Sequence, residues 1–232
     1  MTKNSQQIKR LVGVAILAAL VAVLQLISNY IQFGTVSITL ALIPMVVGAI
    51  LYGPTIGFVL GAFMGVLILT APSTSTFLSF NAFGTVVLCI LKTGLAGLAS
   101  GWIYKGIIRI NALKKAKFAT AVITSALVAP CINTGLFILG TSILFQGLSF
   151  VDANGVTQVL VPSTSFGAAF TAAVGFVVLT NWVIEFAVSV VLSPVLVSLV
   201  KVLTSKYDLA FANDFSKYND LENNIDVEVM NA

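Results

Sequence analysis

Between Arg10 and Lys92 the chain carries no Asp, Glu, Lys or Arg, a run of 81 uncharged positions from residue 11 to residue 91. About a quarter of the residues of a soluble domain are charged, so a run of this length cannot coat a surface that faces water on all sides. Over the 232 residues, 58% are hydrophobic and 9% charged, with a mean hydropathy of +1.05. The chain therefore reads as an integral membrane protein.

A transmembrane helix needs about 20 residues, which allows about six spans with short loops. The first apolar run, Leu11 to Ile27, follows Lys3, Lys9 and Arg10 and continues towards Tyr30. At that length it is a retained helix rather than a cleaved signal. A second helix is expected from near Ser37 to the turn at Leu51 to Pro54, and a third from Thr55 to about Thr70. Gly53 and Pro54 separate them, since proline suits a first helical turn. Residues 71 to 83, APSTSTFLSFNAF, mix Pro, Ser, Thr and Asn with aromatics and no charge, and read as a loop in or folded over the membrane interface, suited to a lid. Helices four to six are expected at about Gly84 to Tyr104, Phe118 to Phe145 and Phe166 to Val200.

Orientation follows from basic residues. The fourth connection carries Lys105, Arg109, Lys114, Lys115 and Lys117, the first helix is preceded by Arg10, and the last is followed by Lys201 and Lys206. Positive flanks lie on the cytoplasmic side. The expected fold is an all-α membrane protein, a bundle of six transmembrane helices over residues 1–206 with both termini cytoplasmic. An acidic tail over residues 207–232, with six carboxylates from Asp208 to Glu228, reads as disordered.

Several chemistries are excluded. The chain has no histidine, which removes Ser-His and Cys-His catalysis and histidine-ligated metals. Cys89 and Cys131 lie in apolar runs without CxxC spacing and read as buried small hydrophobes. No Gly-rich loop followed by Lys-Ser or Lys-Thr is present, so no P-loop supplies nucleotide hydrolysis. The chain does not read as an enzyme, and no cofactor is called for.

Lys92 and Glu185 are ionisable residues within membrane-embedded stretches, and such residues are functional candidates because burying a charge there costs at least ~2.5 kcal/mol. A rise of ~1.5 Å per residue sets their depth. Lys92 lies 13 residues, ~20 Å, from Lys105, and Glu185 lies 16 residues, ~24 Å, from Lys201. Asn133 falls at ~24 Å from Lys117, Gln25 at ~22 Å from Arg10 and Asn181 at ~30 Å. Polar groups from four helices thus gather in the outer half of the bilayer, as in a pocket opening outward, with Trp182 and Tyr30 as aromatic walls. Three uses of these groups stay open. They can bind a ligand, with Lys92 meeting a carboxylate and the amides orienting it; form an ion pair with interhelical hydrogen bonds; or relay protons.

Small residues recur at four-residue spacing. Gly57, Gly61 and Gly65 in the third helix and Gly97 and Gly101 in the fourth suit close packing within the bundle. In the first helix the pairs Ala15/Ala19 and Ala18/Ala22 form a smooth strip that could dock another membrane subunit.

The stretch LALIPMVVGAILYGPTIGFVLGAFMGV, residues 40 to 66, resembles the substrate-binding S components of energy-coupling factor (ECF) vitamin transporters. The resemblance rests on Ile43-Pro44, on Tyr52-Gly53-Pro54 and on the glycines that follow, and extends over the bundle to about residue 203. It implies a bacterial cell-membrane protein that captures a vitamin from outside and is driven by a scaffold membrane subunit and two ATPase subunits. It also implies that the alanine strip contacts the scaffold and that residues 71 to 83 cover the ligand. The Pro-Ser-Thr segment is most similar to the pantothenate type. Pantothenate has one carboxylate, two hydroxyls and an amide, which would suit Lys92 with Asn81, Asn133 and Asn181. Riboflavin, folate or niacin, and a stand-alone ion-coupled carrier, remain alternatives.

Overall fold

A computed structural model describes residues 3–30, 32–33, 36–37, 39–109, 117–151, 157–177 and 182–206. The acidic tail, Asn181, and Lys114 and Lys115 of the basic connection lie outside the described residues. The architecture is helical: α1 (Lys3–Tyr30), α2 (Leu42–Tyr52), α3 (Pro54–Ile68), α4 (Ser75–Phe80), α5 (Ala82–Arg109), α6 (Lys117–Leu144), α7 (Phe166–Val177) and α8 (Val183–Lys206). Two antiparallel hairpins serve as connections. β1 (Gln32–Phe33) pairs with β2 (Val36–Ser37) through Gln32↔Ser37, and β3 (Ser149–Val151) pairs with β4 (Thr157–Val159) through Phe150↔Gln158.

Among the described residues four helices are long and apolar enough to cross a membrane: Arg10–Tyr30, Ala82–Arg109, Phe118–Leu144 and Val183–Val202. A fifth span results if α3 and the bent segment Pro72–Phe80 count as one, with an 80° bend between them. Six spans were expected, and the helix lengths among the described residues give four or five. Of the segment expected as one helix from Phe166 to Val200, the described residues give α7 and α8, and residues 178–181 between them lie outside the described residues. The segment 71 to 83 also differs from the expected loop, forming a 3₁₀ turn at Pro72–Thr74 followed by α4.

The 11 residues of α2 reach only ~16 Å, too short to span. Every one of them except Ile43 is buried, as befits a helix that is apolar all round. It packs against α1, α3, α5, α6 and α8 at the centre of the bundle. Gly53 ends it with φ 98°, a backbone region that favours glycine, and its N–H donates to Ala49 O at 3.1 Å. Pro54 then opens α3 at a position where its missing N–H costs nothing.

The seam between α3 and α5 follows the glycine spacing. A Cβ placed on Gly57 would lie 2.5 Å from Gly97 O, and one on Gly65 would lie 2.5 Å from Cys89 O. At Gly61 it would collide with the carbonyl of Thr93. These obstacles are backbone and cannot swing aside. Gly61→Val is therefore expected to cost at least ~3 kcal/mol and to abolish the monodisperse peak in detergent gel filtration. Gly106→Val, in open space on α5, should leave that peak unchanged.

On α1 the residues Leu17, Val21, Gln25 and Ser28 are buried, while Leu11, Val12, Ile16 and Leu20 are exposed. The inward positions recur at helical spacing and form a stripe facing the core. Ala15 and Ala19 lie on the exposed side, and Ala18 and Ala22 are half-buried at its edge. Cys89 is buried as expected, but Cys131 is exposed on α6, where an apolar thiol can face lipid as readily as core.

Candidate ligand-binding site

The C-terminal turns of α1 carry polar positions of a network, Gln25, Ser28 and Asn29. Gln25 Nε2 donates to Asn29 Oδ1 at 2.8 Å, an i,i+4 pair on one helix face. Asn29 Nδ2 in turn donates to Leu67 O at 3.2 Å and to Thr70 Oγ1 at 3.0 Å, and Thr70 Oγ1 donates to Leu67 O at 2.8 Å. Leu67 O, at the C-terminus of α3 where carbonyls run out of i+4 partners, also accepts from Thr70 N–H at 3.2 Å.

The segment before α2 is held from two sides. Leu40 N–H donates to Ser28 Oγ at 3.1 Å, and Thr39 N–H donates to Glu185 Oε1 at 3.1 Å. Glu185 is 2% exposed and sits in the first turn of α8, where the helix dipole favours a carboxylate. Gln25 and Asn133, at 1% and 3% exposure, are buried as well. Gln25 Oε1 and Asn133 Oδ1 have no hydrogen-bond partner among the described residues.

Lys92 does not pair with Glu185. Its Nζ lies 4.4 Å from the centroid of the Phe137 ring on α6, a cation–π contact. Phe137 meets Phe77 of α4 edge-on at 5.6 Å, and Phe77 meets Phe145 at 5.3 Å. The bent segment is thus held across α6 by aromatic edges rather than lying loose. Thr74 Oγ1 ties its start to Ile68 O at 3.0 Å.

The remaining sequence candidates divide. Trp182 is half-buried and stacks on Phe186 at 5.0 Å. Tyr30 is 83% exposed and lines nothing in the interior. Asn81 caps α5, its Oδ1 accepting from Gly84 N–H at 2.9 Å while its Nδ2 donates to Leu144 O at 3.4 Å. Its carboxamide is engaged at both ends, which differs from the expected ligand contact. Asn81→Ala should cost about 1 kcal/mol of stability and lower the melting temperature. Ligand affinity, referred to folded protein, should stay unchanged.

Ser28, Asn29 and Thr39 of the network, and Phe137 beside Lys92, were not among the sequence candidates. Asn29 was open to detection, lying one helical turn beyond Gln25 in an apolar run, and Phe137 lies one turn beyond Asn133.

The arrangement offers a cation, buried amide acceptors, a carboxylate and aromatic faces within membrane-crossing helices. That set suits recognition of a polar small molecule. Among the described residues no group of His, Cys, Asp and Glu could hold a metal ion. A search of curated proteins and a search of solved structures returned no match. The protein-family comparison gives a match to "ECF transporter, substrate-specific component" over residues 9–197, which takes in the glycine seam, the bent segment, Lys92 and Glu185. With its apolar spanning helices and that match over most of its length, this multi-pass membrane chain belongs to the family of ECF transporter substrate-specific components.

Proposed function

We propose that the chain captures pantothenate from outside the cell for an ECF-type importer and is energised by a separate module of one scaffold membrane subunit and two ATPase subunits. Family membership supplies the coarser part, a small-molecule substrate and partner components of the transporter. The observation that carries the finer part is Lys92, a cation within a membrane-crossing helix with its ammonium over Phe137. Among the described residues no carboxylate pairs with it, and the single acid there, Glu185, accepts from Thr39 N–H. A charge kept at this depth without a protein counter-ion suits an anionic ligand.

In this reading Lys92 holds the carboxylate of pantothenate, and Gln25 and Asn133 offer acceptors to its hydroxyl and amide groups. Glu185 fixes the segment before α2, and Trp182 closes the outer end, next to Asn181 in the sequence. Both ends of the bundle face the cytoplasm, and α1 docks the scaffold through Ala15, Ala18, Ala19 and Ala22.

Uptake of labelled pantothenate by cells producing the chain with and without the scaffold and ATPase subunits tests the reading. Uptake that requires the module and survives an uncoupler is expected. Uptake without the module and abolished by the uncoupler would instead establish an ion-coupled carrier.

A further inference from the structure

Buried hydroxyls on helices usually bond the carbonyl one turn back, and this protein follows that habit at many positions. Thr85 donates to Asn81 O at 2.8 Å, Thr93 to Cys89 O at 2.8 Å, Ser100 to Ala96 O at 2.9 Å, Ser125 to Ala121 O at 2.7 Å and Ser142 to Ile138 O at 2.8 Å. Thr134 and Thr141 depart from it. Each is 3% exposed, and neither hydroxyl has a partner among the described residues. The contrast is sharpest within α6, where Ser142 is satisfied and its neighbour Thr141 is not.

An unmet buried hydroxyl costs about 1–3 kcal/mol, so two of them on one helix, beside Asn133 Oδ1, call for an occupant. Their positions are ordered. Thr134 precedes Phe137 by three residues and Thr141 follows it by four, so both share the helix face of the ring over which Lys92 lies. Leu88, one turn before Lys92 on α5, abuts Gly140, which keeps the two helices close at this level.

We propose that Thr134 and Thr141 are specificity-determining residues of the ligand site. With Asn133 they form a rail about 10 Å long on α6 that hydrogen-bonds hydroxyl and amide groups spread along an anionic small molecule. The inference rests on the reading that Lys92 holds a ligand carboxylate. It narrows the substrate class to extended carboxylates bearing hydroxyl or amide groups, and disfavours compact flat anions whose polar atoms lie close together.

The test is calorimetric titration of the full chain in detergent with pantothenate, biotin and nicotinate. Whichever binds most tightly is then titrated into variants. Thr134→Val and Thr141→Val keep the side-chain shape and remove the hydroxyl. Each is expected to weaken binding by roughly fivefold or more without lowering the ligand-free melting temperature. Thr134→Ser and Thr141→Ser should restore affinity, and Ser125→Ala should leave it unchanged. If a valine variant does not fold, the corresponding alanine variant takes its place in the comparison. Valine variants that bind like the unsubstituted chain, or serine variants that lose as much as the valine ones, would overturn the rail and leave the role of Lys92 standing. An unsubstituted chain that binds none of the three anions overturns the Lys92 reading, and the rail with it. Tightest binding of nicotinate contradicts the extended-ligand inference alone.

Discussion

Lys92→Ala is expected to weaken binding of an anionic vitamin by about tenfold or more while the protein still folds. The two halves of that statement have different physical sources. A charge-assisted hydrogen bond to a carboxylate is about twice as strong as a neutral one. The folded state gives up much less. Lys92 is only half-buried and contacts Phe137 rather than a carboxylate, so the substitution leaves no buried counter-ion stranded, the step that makes breaking an ion pair costly. What is lost is a cation–π contact of about 0.5–1 kcal/mol. Titration calorimetry paired with a thermal melt separates the two, and unchanged affinity in a well-folded variant would remove Lys92 from the site.

Ala19→Trp should produce the opposite split, with transport lost and ligand binding by the isolated chain retained. Exposure alone does not mark a docking face in a membrane protein, because lipid covers apolar side chains as well as a partner does. The relevant feature of α1 is that Ala15 and Ala19 lie exposed among larger exposed residues such as Ile16 and Leu20. That hollow lets another helix approach closely, and an indole at its centre would hold the partner several ångströms away. The interior face of α1, with Val21, Gln25 and Ser28, is untouched by the change. Val191→Trp on the exposed surface of α8 controls for bulk facing lipid and should leave uptake intact. Normal uptake by the Ala19→Trp variant in cells carrying the full transporter would contradict docking through this strip.

What could be read from the sequence was whatever depends on spacing along a helix. Gly57, Gly61 and Gly65 implied a close seam, and the seam is there against Thr93, Gly97 and Cys89. Gly53 and Pro54 marked a turn, and the bounds expected for α6, Phe118 to Phe145, lie within a residue of Lys117–Leu144. What was hidden depends on azimuth. Depth placed Lys92 and Glu185 at similar levels, but only the helix rotations turn one towards Phe137 and the other towards Thr39. Asn81 looked like a ligand group because its position before a helix was read as a loop; as an N-cap its oxygen already has a donor. The segment after α3 was read as a lid loop from its Ser, Thr and Pro content, whereas its aromatic residues, meeting Phe137 and Phe145, give it a packed helical form.

The central claim is that this substrate-specific component binds pantothenate through Lys92. Titration of pantothenate into the purified chain, with riboflavin, thiamine and folate as comparators, tests it most directly. Saturable one-to-one binding of pantothenate, absent for the comparators and weakened in the Lys92→Ala variant, is the predicted result. Tight binding of a comparator with none of pantothenate, or pantothenate binding indifferent to Lys92, would contradict it.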